Sequence, residues 1–128
     1  MRYAITLVLL IMLVGCTHKA NTNPEPPSIT YAKTARDTAA ALGGAITSAQ
    51  QQYATECQSD ASKSACGIIN KAIAAQGVLI TATETYCGFS GASQPIDACK
   101  PVATAQEGLM KALDNAQQFL TDLKGIIH

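Results

Sequence analysis

After residue 28 one pattern of apolar positions appears three times along the chain. Ala32, Ala35, Ala39, Leu42, Ile46, Ala49 and Tyr53 follow one another in alternating steps of three and four, the spacing that gathers side chains on one face of an α-helix. Ala65, Ile68, Ala72, Ala75, Leu79, Ala82 and Tyr86 repeat it. Ile69, Ile73 and Ile80 widen that second stripe, so the second helix is expected to be the most buried. Val102, Leu109, Leu113, Ala116, Leu120 and Leu123 form the third apolar face. Polar connections separate the stripes at Glu56–Ser64 and Phe89–Lys100. The pattern predicts an all-α fold, an antiparallel up-down-up three-helix bundle over residues 29–128.

The residues at the predicted ends agree with that division. Ser28, directly after Pro27, suits the N-cap of the first helix. Asp60 or Ser62 suits the cap of the second, and Gly88 the left-handed position that ends it. A single turn is expected around Ile96–Cys99. Pro101 fits the first turn of the third helix, where its missing N–H costs nothing. Gly125 is expected to terminate that helix, with Ile126 folding back near Leu120. Gly43-Gly44 interrupts the first stripe at about 1 kcal/mol per glycine relative to Ala. The three-four register is the same on both sides, so the first helix is expected to run through. Tyr31, Tyr86 and Phe89 should then share one end of the bundle, and Tyr53 and Phe119 the other.

The start of the chain is of a different kind. Ala4 to Val14 is an apolar run after a single positive charge at Arg2. It is shorter than the ~20 residues that span a bilayer, and it fits the apolar region of a secretory signal. No other stretch reads as a transmembrane helix. The run ends in Leu13-Val14-Gly15-Cys16, and here the sequence resembles a bacterial lipoprotein, whose lipobox is cut before the cysteine. The resemblance covers only about the first 17 residues. It implies that residues 1–15 are removed and that Cys16 carries a diacylglyceryl group and an N-acyl chain such as palmitate. Thr17 after the cysteine leans, by the same resemblance, towards the outer membrane, facing the periplasm or the cell surface. Residues 16–28, with Pro24, Pro26 and Pro27, read as a flexible tether that reaches at most about 40 Å.

Four further cysteines, Cys57, Cys66, Cys87 and Cys99, are an even number in a small exported domain, which points to disulfides. Gaps of 8, 20 and 11 residues lack the short paired spacing of zinc motifs. In an up-down-up bundle the first pair flanks one connection and the second pair flanks the other, at opposite ends about 30–40 Å apart. A disulfide needs α-carbons within about 7 Å. The expected bridges are therefore Cys57–Cys66 and Cys87–Cys99, each contributing on the order of 2.5–3 kcal/mol. Such staples matter because two of the stripes are built on alanine, which removes little apolar area from water.

The chain carries nine basic and nine acidic residues, sparse and mixed. No basic stripe suggests nucleic acid, and no Lys/Arg cluster suggests recognition of acidic lipids. The only two histidines are His18 in the tether and the terminal His128, which leaves no metal-hydrolase or triad arrangement. Ser90 does not sit in a nucleophile elbow. The reading is a non-enzymatic, lipid-anchored envelope protein with no cofactor or metal, acting by contact with an envelope protein as assembly factor, accessory subunit, inhibitor or exclusion-type protein. Tyr31, Tyr86 and Phe89 are the candidate contact residues. The alternatives are a small-ligand carrier with an interhelical pocket and a self-associating structural lipoprotein.

Overall fold

The computed structural model describes residues 27–91 and 94–128. It contains three long helices, α1 Ile29–Ser59, α2 Ser64–Cys87 and α3 Gln106–Ile126, with 3₁₀ turns at Ile96–Ala98 and Ala103–Ala105. Each long helix packs against the other two, and there is no strand among the described residues. The result is the all-helical three-helix arrangement that the apolar spacing predicts, closed by Cys57–Cys66 and Cys87–Cys99.

α1 is continuous through Gly43-Gly44 and runs for 31 residues. Ser28 caps it, its side chain accepting from the Thr30 N–H. The buried set is Ala32, Ala35, Ala39, Leu42, Ile46 and Ala49, the expected stripe with Tyr53 half-buried at its end. Gly43 has a specific job. A Cβ there would lie 2.6 Å from Nε2 of Gln76, and that amide donates to the Ala39 carbonyl at 3.0 Å. The missing side chain lets an α2 glutamine lie across α1 and reach its backbone.

α2 buries Ala65, Cys66, Ile69, Ala72, Ala75, Leu79, Thr83, Tyr86 and Cys87, the largest buried set of the three helices. The expected widening by isoleucine holds only at Ile69. Ile73 and Ile80 are 41% and 40% exposed, a correction with a simple cause. The alanine-rich face of α1 and the leucine-rich face of α3 meet α2 along a seam that Ile69, Ala72, Ala75 and Leu79 already fill. The seam turns instead towards Thr83, whose hydroxyl is satisfied by donating to the Leu79 carbonyl at 2.7 Å.

The start of α3 also departs from expectation. Pro101 is not in its first turn; the helix begins at Gln106, after the 3₁₀ turn at Ala103–Ala105. Residues 100–102 instead lie extended along the end of α2. Lys100 N–H donates to the Cys87 carbonyl at 3.1 Å and Val102 N–H to the Tyr86 carbonyl at 2.8 Å. Val102 is consequently 39% exposed and outside the core. Gly125 does not stop α3 either. The helix continues to Ile126, whose carbonyl accepts from the Tyr53 hydroxyl at 2.6 Å and the Gln52 amide at 3.2 Å.

Neither Asp60 nor Ser62 is the N-cap of α2. That position is Lys63, with no side-chain cap. The Asp60 carboxylate accepts from the backbone and hydroxyl of Ser62, organising the turn rather than the helix. At the other end of α2 the account is complete. Gly88 is left-handed (φ 66°), with Phe89 N–H on the Glu84 carbonyl and Gly88 N–H on the Thr85 carbonyl, the paired bonds of a Schellman ending. With Lys100 and Val102 on Cys87 and Tyr86, the last four carbonyls of α2, which a helix leaves without intrahelical partners, all have donors.

Candidate functional site

Cys16 and the whole signal and tether segment up to residue 26 lie outside the described residues. The cysteine pairs are placed as the bundle geometry requires. Cα–Cα is 5.6 Å for Cys57–Cys66 and 4.4 Å for Cys87–Cys99. Tyr31, Tyr86 and Phe89 do gather at one end, but they are not equivalent. Tyr86 is fully enclosed, and its hydroxyl accepts from the Ser28 N–H at 2.8 Å while donating to the Ser28 carbonyl at 3.0 Å. It pins the start of α1 to the last turn of α2 and offers nothing to a partner; burial removes it from the candidate contact set. Phe89 is half-buried, with the Arg36 guanidinium 5.4 Å above its ring. Arg36 also donates to the Gln94 carbonyl at 2.6 Å, so it clamps the α2–α3 connection onto α1. Tyr31 is half-buried against the core. The aromatic group is mostly structural.

A different surface carries the feature that asks for a partner. Ile73, Val78 and Ile80 of α2 are 41%, 57% and 40% exposed. Between Lys71 and Glu84 this helix has no charged residue, and Ala74, Gly77 and Thr81 complete its outward side. By length and composition α2 matches a membrane-crossing helix, with mean hydropathy 1.4 over its apolar window, which corrects the expectation that no such stretch follows the signal segment. Only 28% of that window is buried in the bundle. The sequence offers Ile69, Ile73 and Ile80 in two ways, as a widening of the core stripe and as the second apolar stripe that a self-associating form needs. The available signal was that the three-four stripe is already full without Ile73 and Ile80, so these two fall off its register.

The described residues form several surface depressions, of which three bear on the site. One of about 190 Å³, at the edge of the uncharged face, is lined by Arg36, Ala39, Ile80, Thr83 and Glu84. Another of about 250 Å³ lies beside the first disulfide, with Tyr53, Ile69 and Asn70 on its walls. Both are smaller than the roughly 300–1,000 Å³ of a typical small-molecule site. A third, about 520 Å³, is a shallow hollow on the α2 exterior over Ala74, Gly77, Val78, Thr81 and Ala82.

Titratable groups give little local chemistry. Hydrogen bonds from Ser62 hold the exposed Asp60 carboxyl below its ordinary pKa. Lys111, by hydrogen bond and then by charge, does the same for Glu107 and is itself raised in return. Among the described residues no three His, Cys, Asp or Glu side chains are grouped to hold a metal ion. Comparison with protein-family models, with curated proteins and with solved structures found no match, so function rests on the molecule itself.

Proposed function

We propose that this chain is a lipid-anchored, non-enzymatic protein of the bacterial cell envelope that acts by protein–protein contact. The carrying observation is the uncharged outer side of α2, on which Ile73, Val78 and Ile80 remain substantially exposed. Ile73 and Ile80 lie on the flank towards α1 and Val78 on the other flank, and large apolar side chains left exposed on an uncharged helix side point to an interaction site. Location is supported separately, by Leu13-Val14-Gly15-Cys16 and by two disulfides that belong in an oxidising compartment. Attachment through the acyl chains of Cys16, with the outer membrane as destination, follows the lipoprotein resemblance.

Two measurements test these parts independently. Cys16→Ser should abolish labelling by radioactive palmitate and release the chain from membranes; unchanged labelling overturns the anchor. A photocrosslinking residue at Val78 in intact cells should give a discrete protein adduct. If ultraviolet light yields no protein adduct at all, the contact reading fails.

A further inference from the structure

The outer face shared by α1 and α2 suits contact with itself, and we infer that it docks on the same face of a second copy of this chain, antiparallel and two-fold, centred near Gly77. This rests on the contact reading above and names its partner. α1 has no Asp, Glu, Lys or Arg between Asp37 and Glu56, and α2 has none between Lys71 and Glu84. The two stretches are neighbours, joined by the Gln76–Ala39 hydrogen bond and by the groove that Ile80 shares with Arg36 and Ala39. Ala40, Gly44 and Thr47 are exposed on the α1 side of it.

Charges at an interface chiefly select the right partner and repel wrong ones. The interior of this face has no charge with which to select a dissimilar protein, and the charges at its edge, Arg36 and Glu84 in the Ile80 groove, are one of each sign, so two copies meet without like charges at the centre. The apolar side chains fit the same symmetry. Ile73 and Ile80 are seven residues apart, about two turns, and so lie on one side of α2. Gly77 sits between them, and the space where its Cβ would be is open, so a second helix can approach closely. A two-fold axis perpendicular to α2 at this point sets each Ile73 against Ile80 of the second copy. One operation covers all four isoleucines, as an isologous contact requires.

The size of the face sets the strength. With helices 8–10 Å apart and 1.5 Å of rise per residue, the uncharged area measures about 20 by 25 Å. That is roughly 1,000 Å² buried in total, at the low end for specific interfaces. Such a pair is weak in dilute solution and gains where copies are confined to one surface at high effective concentration.

The test uses full-length chains with two different tags, co-expressed, crosslinked in intact cells and co-captured. Wild-type copies should pair. Ile73→Glu and Ile80→Lys should each lower the paired fraction about ten-fold, since each buries an unpaired charge. Co-expressing Ile73→Glu with Ile80→Lys should restore pairing to within about three-fold of wild type, because these positions oppose one another. Ile73→Glu with Ile73→Lys should not. Helical circular dichroism and intact disulfides check that every variant folds. Absence of pairing in wild type, or rescue by the second combination and not the first, overturns the proposal. If a photocrosslinking residue placed at Ile80 captures a different protein and no second copy, the contact reading stands and the two-fold pairing fails. If the chain stays single and Ile73→Glu weakens its binding to phosphatidylethanolamine vesicles, a lipid surface covers the face and the pairing fails as well.

Discussion

Each end of the bundle is closed by a disulfide, yet the two ends are built differently. At the Cys57–Cys66 end the turn between α1 and α2 is organised by its own residues. Asp60 N–H reaches the Glu56 carbonyl, Ser62 reaches the Asp60 carboxylate, and Lys63 N–H reaches the Asp60 carbonyl. The long-range polar contacts there, Gln52 and Tyr53 to the Ile126 carbonyl, join α1 to α3 and leave α2 aside. At the Cys87–Cys99 end, bonds join chain segments as far as 58 residues apart. Tyr86 holds Ser28, Arg36 holds Gln94, and residues 100 and 102 hold the last carbonyls of α2. A sulfur bridge is thus the main cross-link between α1 and α2 at one end, and one of several overlapping links at the other.

The largest effect expected is from losing both bridges. In the chain-entropy picture that removes about 5–6 kcal/mol, comparable to the whole stability of many domains, about 5–15 kcal/mol. Urea unfolding with and without reductant measures it; coincident curves would refute the dependence of the thin alanine core on its staples. Next is the order in which the bridges yield. Limiting reductant followed by alkylation and mass spectrometry should find Cys57 and Cys66 modified first, because Cys57 is only half-buried and its turn opens without disturbing the other end. Earlier modification of Cys87 and Cys99 would reverse the comparison. A smaller difference separates two tyrosines. Tyr86→Phe leaves the Ser28 N–H without its acceptor, while the Ser28 carbonyl keeps the Tyr31 N–H, and should cost about 1–3 kcal/mol because the lost bond is at an enclosed site. Tyr53→Phe should cost about 1 kcal/mol or less, since the Ile126 carbonyl keeps Gln52. Equal losses in thermal melts would show that the two ends are tied alike.

The smallest effect concerns pH. Asp60 is held below its ordinary pKa by Ser62, so its contribution to stability is complete above the unfolded carboxylate pKa and disappears as pH falls through the lower folded value. Ser62→Ala should move the Asp60 titration, followed by NMR, back up towards that of an unperturbed carboxylate. Titration unchanged by the substitution would remove Ser62 as the cause. The exposed position makes the effect on global stability slight.

What was legible in the sequence was governed by spacing. The six buried residues of α1 and the cysteine pairing both follow from helical register and helix length. Misreadings arose where a tertiary contact outranked a local preference. Pro101 is a good first-turn residue, but residues 100 and 102 give their N–H groups to α2 and hold the chain extended. Gly125 is a good stop, but α3 runs on to present the Ile126 carbonyl to Tyr53. Ile73 and Ile80 are apolar enough for any core, but Ile69, Ala72, Ala75 and Leu79 already fill the seam. The burial of Tyr86 was marked by its place at the end of the second stripe; its bond to the backbone of Ser28 was not, since any residue there could supply it. The uncharged span around Gly77 was visible throughout; what it lacked was a helix map showing that it faces outward.

The Tyr86–Ser28 contact also decides how the domain answers a pull. Any load applied through the chain preceding residue 28 arrives at the cap of α1. There the two hydrogen bonds to Ser28 pass it sideways into the last turn of α2, which the disulfide and four occupied carbonyls brace. The first helix therefore does not bear such a load alone but shares it with its neighbour. For a small alanine-cored bundle any such tension is a hazard, and this contact delivers it to the most heavily cross-tied corner among the described residues.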